Sequence, residues 1–239
     1  MFAKPLLKSL SALLLTASLS QATHAIWIGG EDVLTLDSSE SSITVTESAT
    51  LNMIEGSGSA FITAHDQATI NINNAGHISF IDAYNDSTIN VDGANISWLT
   101  LHDNASFDIS RVNTSWLTLR NNSSGTIRSG DFSWVQVLDN STANVLSLST
   151  SWFLLGMDAL VNVYGDNLSY YNGLVSGTTF DGYGFSFRAY NVDSNGYILD
   201  NIPTNIRLIN GPFAVPTPAV TALMLLAAFF LLRRKSKRS

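Results

Sequence analysis

Six rings recur at a near-constant interval along this 239-residue chain: Phe61, Phe80, Trp98, Trp116, Trp134 and Trp152, the last four each preceded by serine at steps of eighteen. Turned to solvent, such a ring offers a surface on which the apolar face of a sugar rests while its hydroxyls reach polar neighbours such as Thr100, Thr118 and Gln136. The same rings can equally stabilise one another across adjoining strands, with no ligand involved. Four residues further on stands a second column: His65, Tyr84, His102 and Arg120. A base beside a cation is what proton abstraction next to a sugar carboxylate requires, so a polysaccharide lyase or hydrolase is the rival reading. A third set, Asp66, Asp103, Asp139 and Asp158, falls in turns. Calcium there needs about six to eight converging oxygens, and the glycine-rich repeat that supplies them in calcium-binding solenoids is missing. Nucleophile elbow, phosphate loop and Cys/His metal spacing are all absent from the sequence. The expectation is therefore a binding or structural protein without catalytic residues, metal or other cofactor.

The elements that position these columns follow from the same period. Leu51, Ile70, Ile89, Phe107, Gly125, Ala143 and Val161 form one column, and Met53, Ile72, Val91, Ile109, Ile127, Val145 and Val163 another two residues on. Between them run Asn52, Asn71, Asn90, Asp108, Thr126, Asn144 and Asn162, the in-out-in alternation of a strand with one buried face. A second strand per unit places pairs such as Ile62 and Ala64, or Leu117 and Leu119, inward. The turns "HDQA", "YNDS", "HDNA", "RNNS" and "LDNS" join the two, rich in residues that tolerate left-handed backbone angles.

A unit of eighteen residues cannot bury its apolar face alone, so neighbours must stack and share a core. The predicted fold is all-β: a single-stranded parallel β-helix of about seven rungs between Ile43 and Tyr164, roughly 34 Å long at about 4.8 Å per rung. The third side of each coil ("NNAGH", "DGAN", "RVNT", "RSGD") is polar and reads as loop; a β-sandwich is the competing fold. Open strand edges at both ends require caps. The expected organisation is a leader at 1–25, an N-terminal cap at 26–42, repeats at 43–173, a C-terminal β cap and tether at 174–212, and a hydrophobic helix with a basic tail at 213–239.

The two ends carry targeting signals. Lys4 and Lys8, an apolar run and small residues up to Ala25 make a signal peptide. At the other end Val215, Pro216, Thr217 and Pro218 precede an apolar stretch to Leu232 and the tail "RRKSKRS". These last 25 or so residues resemble the PEP-CTERM sorting signal of exopolysaccharide-producing bacteria, in which the third motif position is most often Glu where this chain has Thr217. An ordinary carboxyl-terminal anchor helix is the alternative. The resemblance implies a sorting protease of the exosortase type as partner and a matrix rich in extracellular polysaccharide. Both readings export the body and place the helix in the inner membrane, with the basic tail cytoplasmic.

Charge divides the chain the same way. Seven of twelve basic residues lie in the ends, leaving Arg111, Arg120, Arg128, Arg188 and Arg207 against all nineteen carboxylates, a body charge near −14 that excludes nucleic acid as a partner. Cysteine is absent, so packing and hydrogen bonds carry the fold. The reading is an exported, acidic, envelope-anchored solenoid with a structural or glycan-binding role. Phe80, Trp98, Trp116, Trp134 and Trp152 are the candidate carbohydrate site.

Overall fold

In-register stacking of parallel strands organises the chain. The computed structural model describes residues 25–211, which form seventeen strands and no helix. The leader up to residue 24, the motif at Val215, Pro216, Thr217 and Pro218, and the helix expected at 213–239 lie outside the described residues. One continuous column pairs Ile26, Ile43, Ile62, Ile81, Leu99, Leu117, Val135 and Phe153, coil upon coil. The protein is thus a parallel β-solenoid of about eight turns.

Each coil has two long sides. The first carries the Ile81 column and, two residues on, Ala64, Ala83, Leu101, Leu119, Val137 and Leu155, all fully buried. The second carries the predicted Leu51 and Met53 columns, paired coil to coil without a slip through Val161 and Val163. Period-two alternation makes this outcome obligatory, because a one-residue slip would turn every one of these side chains outward. The corner between the sides holds only small residues, among them Ala49, Ala68, Ser87, Ala105, Ser123, Ser141 and Ala159, buried where the chain turns tightest.

The third side departs from expectation in the middle coils. Strands Thr88–Leu101 and Ser106–Leu119 run through it unbroken, and Ala94 pairs Val112 while Ile96 pairs Thr114. Those four residues are buried while Asn95 and Asn113 are exposed, so an alternation sits inside a segment whose overall polarity suggested a loop.

Both ends also differ in detail. The segment 26–42 covers the rung at Ile43 by being a coil itself: Ala25–Ile28 pairs with 42–45 and Val33–Leu36 with 50–53. After strand Leu160–Tyr171 the chain leaves the column in an antiparallel meander, Leu174–Thr178 then Gly184–Val192, whose far half returns to pair Phe153 with Ala189. The stretch read as a tether instead adds strand Ile206–Asn210 to the second side, Ile206 beside Val161 and Leu208 beside Val163, because its alternation continues the inward columns. Asn205 Nδ2 ties the return by donating to the Gly156 carbonyl at 2.8 Å.

Column-mates need not be equal in size if neighbours compensate. Phe107 is the largest residue of its column, and the next coil supplies Gly125 and the one after it Ala143. A Cβ at Gly125 would collide with the Phe107 ring and its carbonyl oxygen. Gly125→Ala is expected to lower stability by about 1–3 kcal/mol in urea unfolding, and by clearly less in a Phe107→Leu background. Coupling between the two below about 0.5 kcal/mol would remove this account.

Candidate functional site

The ring column faces outward. Phe61 is 52% exposed, Trp98 42% and Trp152 36%, while Phe80, Trp116 and Trp134 are partly exposed. Ring centroids lie 5.0 Å apart for Phe61–Phe80, 4.8 Å for Phe80–Trp98, 4.8 Å for Trp116–Trp134 and 5.2 Å for Trp134–Trp152, with planes within 13° of parallel. Flat contact would bring the planes to about 3.5–4.0 Å, so rings separated this far overlap only partly, like shingles. Each therefore stabilises its neighbour and still leaves an edge and part of a face to solvent. Stacking forms two runs, Phe61–Phe80–Trp98 and Trp116–Trp134–Trp152. Trp98 and Trp116 are partners in the backbone ladder. Tyr190 extends the second run past Trp152 at 5.3 Å.

A second rail runs parallel to the first. His65, Tyr84 and His102 stack with centroids 5.0 and 4.6 Å apart, and Arg120 occupies the same column on the next coil. Residues 61, 63 and 65 all point outward, because Ile62 and Ala64 point in. The two rails thus stand about 13 Å apart at about 3.3 Å per residue. Between them lies a polar furrow, Thr63, Asp82, Thr100, Thr118 and Gln136, paired in that order. Thr118 donates to Gln136 Oε1 at 3.3 Å, and the furrow ends at buried Leu154.

The furrow has one carboxylate, Asp82, and its field is felt. Burial first, and then the charges of Asp82 and Asp103, push the Tyr84 phenol above its ordinary range. The ion pairs among the described residues lie elsewhere: Arg111 on Asp92 at 2.7 Å, and Arg128 on Asp108 through two contacts of 2.6 Å. The Arg111 guanidinium, helped by the Ser110 hydroxyl, holds the Asp92 carboxyl down to about 2. Both partners of that pair are more than half exposed, so it adds little stability.

No family model matches the chain, and no curated protein or solved structure does. Its site is therefore read from its own geometry.

The turn carboxylates have a structural use. Glu47, Asp66, Asn85, Asp103, Asn121 and Asp139 share left-handed angles, φ between 54 and 58°. Each of the last five accepts a hydrogen bond on its side chain from the backbone N–H of the member one coil before, at 2.9–3.1 Å. Asp66, Asp103 and Asp139 act here as acceptors within this spine, separated by Asn85 and Asn121, and Asp158 stands apart from it, exposed. Among the described residues no three His, Asp or Glu side chains converge on a point that would hold a metal ion. The predicted Asn ladder is present too: Asn71 Nδ2 donates to Asn52 Oδ1 and Asn90 Nδ2 to Asn71 Oδ1, both at 2.9 Å, and Asn162 to Asn144 at 3.0 Å. Where Asp108 interrupts it, Arg128 supplies the donors.

A groove of about 910 Å³ follows the third side, past Asn95, Asn113 and Asp131 to Phe185 at the meander. It contains no member of either rail. The sequence places every member of both rails, and between them the outward row of Thr63, Asp82, Thr100, Thr118 and Gln136. The signal is that positions 61, 63 and 65 share one parity.

The proximity of Asp82 to Tyr84 is directly measurable. Asp82→Asn is expected to lower the Tyr84 phenol pKa, followed by NMR titration of labelled tyrosine, yet leave it above the ordinary value because burial is the larger cause. An unchanged titration would mean that the two side chains do not face each other.

Proposed function

We propose that this protein is an exported rod of the cell envelope that binds extracellular glycan along its aromatic-railed face and contributes a rigid, acidic element to the matrix. The observation that carries this reading is the outward aromatic row set beside a continuous polar column. Ring edges and partial faces meet the apolar surface of a sugar, and threonine hydroxyls one coil apart meet its oxygens along the axis. A chain-like ligand suits a face with translational repeat better than a small molecule does, since the site has no enclosing walls.

Proton-transfer chemistry is less well served by the second rail. The His65 and His102 rings stack on Tyr84, and the surface around Arg120 holds Asp139, Asp158 and Asp193, which oppose a substrate carboxylate. We therefore assign no catalytic role.

Export and attachment belong to the same proposal. The motif at Val215, Pro216, Thr217 and Pro218, the apolar run and the basic tail would hold the protein at the inner membrane until an exosortase-type protease releases the body to the surface. In a host that has such an enzyme, Pro216→Ala with Pro218→Ala is expected to leave the full-length form in the membrane fraction. A released body in that variant would exclude motif-dependent sorting.

Binding is tested by retention on immobilised neutral and charged polysaccharides. Replacing Trp98, Trp116 and Trp134 together by Ala should weaken retention at least about tenfold, equivalent to ~1.4 kcal/mol, with far-UV circular dichroism unchanged and the glycan's chain length intact. New reducing or unsaturated ends would instead establish a hydrolase or a lyase. Undiminished retention in the triple variant would detach binding from this face.

A further inference from the structure

We infer that the furrow holds an amine-recognition site centred on Asp82, and that the preferred ligand is a glycan bearing free, protonated amino groups. This inference rests on the glycan-binding reading and narrows it.

Asp82 is half-buried and points outward between Phe80 on its own strand and Tyr84 just past the strand's end. The coils on either side add Phe61 and His65 below and Trp98 and His102 above, so rings flank the carboxylate on both sides. Its neighbours within the furrow are the hydroxyls of Thr63 and Thr100. The ion pairs among the described residues do not include it. A half-buried carboxylate flanked by rings, apolar on the Phe80 side, is less screened than one in open solvent, so a cation brought to it gains more. An ammonium group has three donors and no acceptor, and one carboxylate with a hydroxyl on each side complements it. Thr63, Thr100 and Thr118 show what this column otherwise holds, which makes Asp82 a charged exception in a neutral row.

The wider field points the same way. With nineteen carboxylates against five body arginines, an anionic polysaccharide approaches against repulsion and a cationic one with attraction. Net charge alone accounts for attraction to any part of the rod; Asp82 makes the aromatic face the place where an amine is held. The rails and the hydroxyl row favour a sugar chain over a lysine-rich peptide, whose side chains carry no ring face to lay on the indoles.

The probes are oligomers of β-linked N-acetylglucosamine of one length, fully acetylated or partly deacetylated, titrated at neutral pH and at two salt concentrations. The expected result is at least about tenfold tighter binding of the deacetylated oligomer, a preference weakened by salt. Asp82→Asn, and separately Asp82→Thr, should remove the preference, so that the two oligomers bind alike. Asp82→Thr restores the column's common residue and guards against a folding effect. Asp131→Asn, which removes the same charge from the third side, should retain the preference. Equal binding of both oligomers, lost in the tryptophan variant, sinks the amine site and leaves glycan binding standing. A preference that survives at Asp82→Asn, or tighter binding of a polylysine peptide than of either oligomer, also overturns it. Binding of neither oligomer, nor of any polysaccharide, removes both readings.

Discussion

The column depends on parallel strands stacked in register at about 4.8 Å, so that each of its residues lies against its own counterpart from the coil before. Identity between neighbours is safe for isoleucine or asparagine and unsafe for a charge. Apart from Glu47 beside Asp66, the columns obey that constraint. Apolar side chains stack on apolar ones in the core. Amides pair with amides in the Asn52, Asn71 and Asn90 ladder. Rings overlap rings on the outer face. Where the rule is broken, a neighbour adjusts, as Gly125 does beneath Phe107 and Arg128 beside Asp108.

The turn spine shows how one residue meets two demands. Its first demand is local, a left-handed backbone that Asp and Asn adopt more readily than other side chains. Its second is between coils: an oxygen that accepts the N–H of the preceding turn. Aspartate and asparagine satisfy both, which is why the sequence keeps to those two residues from Asp66 to Asp139. Function is left the outward positions of the first and third sides, since the inward columns, the corner and the outward Asn ladder of the second side are committed to the fold. The rails and furrow occupy three consecutive outward positions of one side, and the groove of the third side contains none of their residues.

Periodicity made most of the architecture legible. The eighteen-residue step located both long sides, the inward columns, the Asn ladder and the outward tendency of Trp98, Trp116, Trp134 and Trp152. It failed where composition obscured alternation: Ala94, Ile96, Val112 and Thr114 are inward residues spaced by Asn and Arg, and small or polar inward residues carry a weak hydrophobic signal. It also failed at the ends, where the coil at 26–42 and the strand at 206–210 have few repeats to compare against. The candidate site was legible as separate columns, but not as a surface, because its width depends on which positions share parity on a strand. Arg111 on Asp92 and Arg128 on Asp108 had no sequence signature, since corner geometry brings each pair together.

The alternation of acid and amide along the spine bears on how such a rod lengthens. From Asp66 to Asp139 no two carboxylates are adjacent, and two placed one coil apart in solvent would repel by about 1 kcal/mol. Tandem copying of a single coil would join like to like at the new boundary, acid on acid or amide on amide. Copying two coils would preserve the order from Asp66 to Asp139; Glu47, whose carboxylate turns back to accept from the Gly30 N–H, lies beside Asp66 outside that alternation.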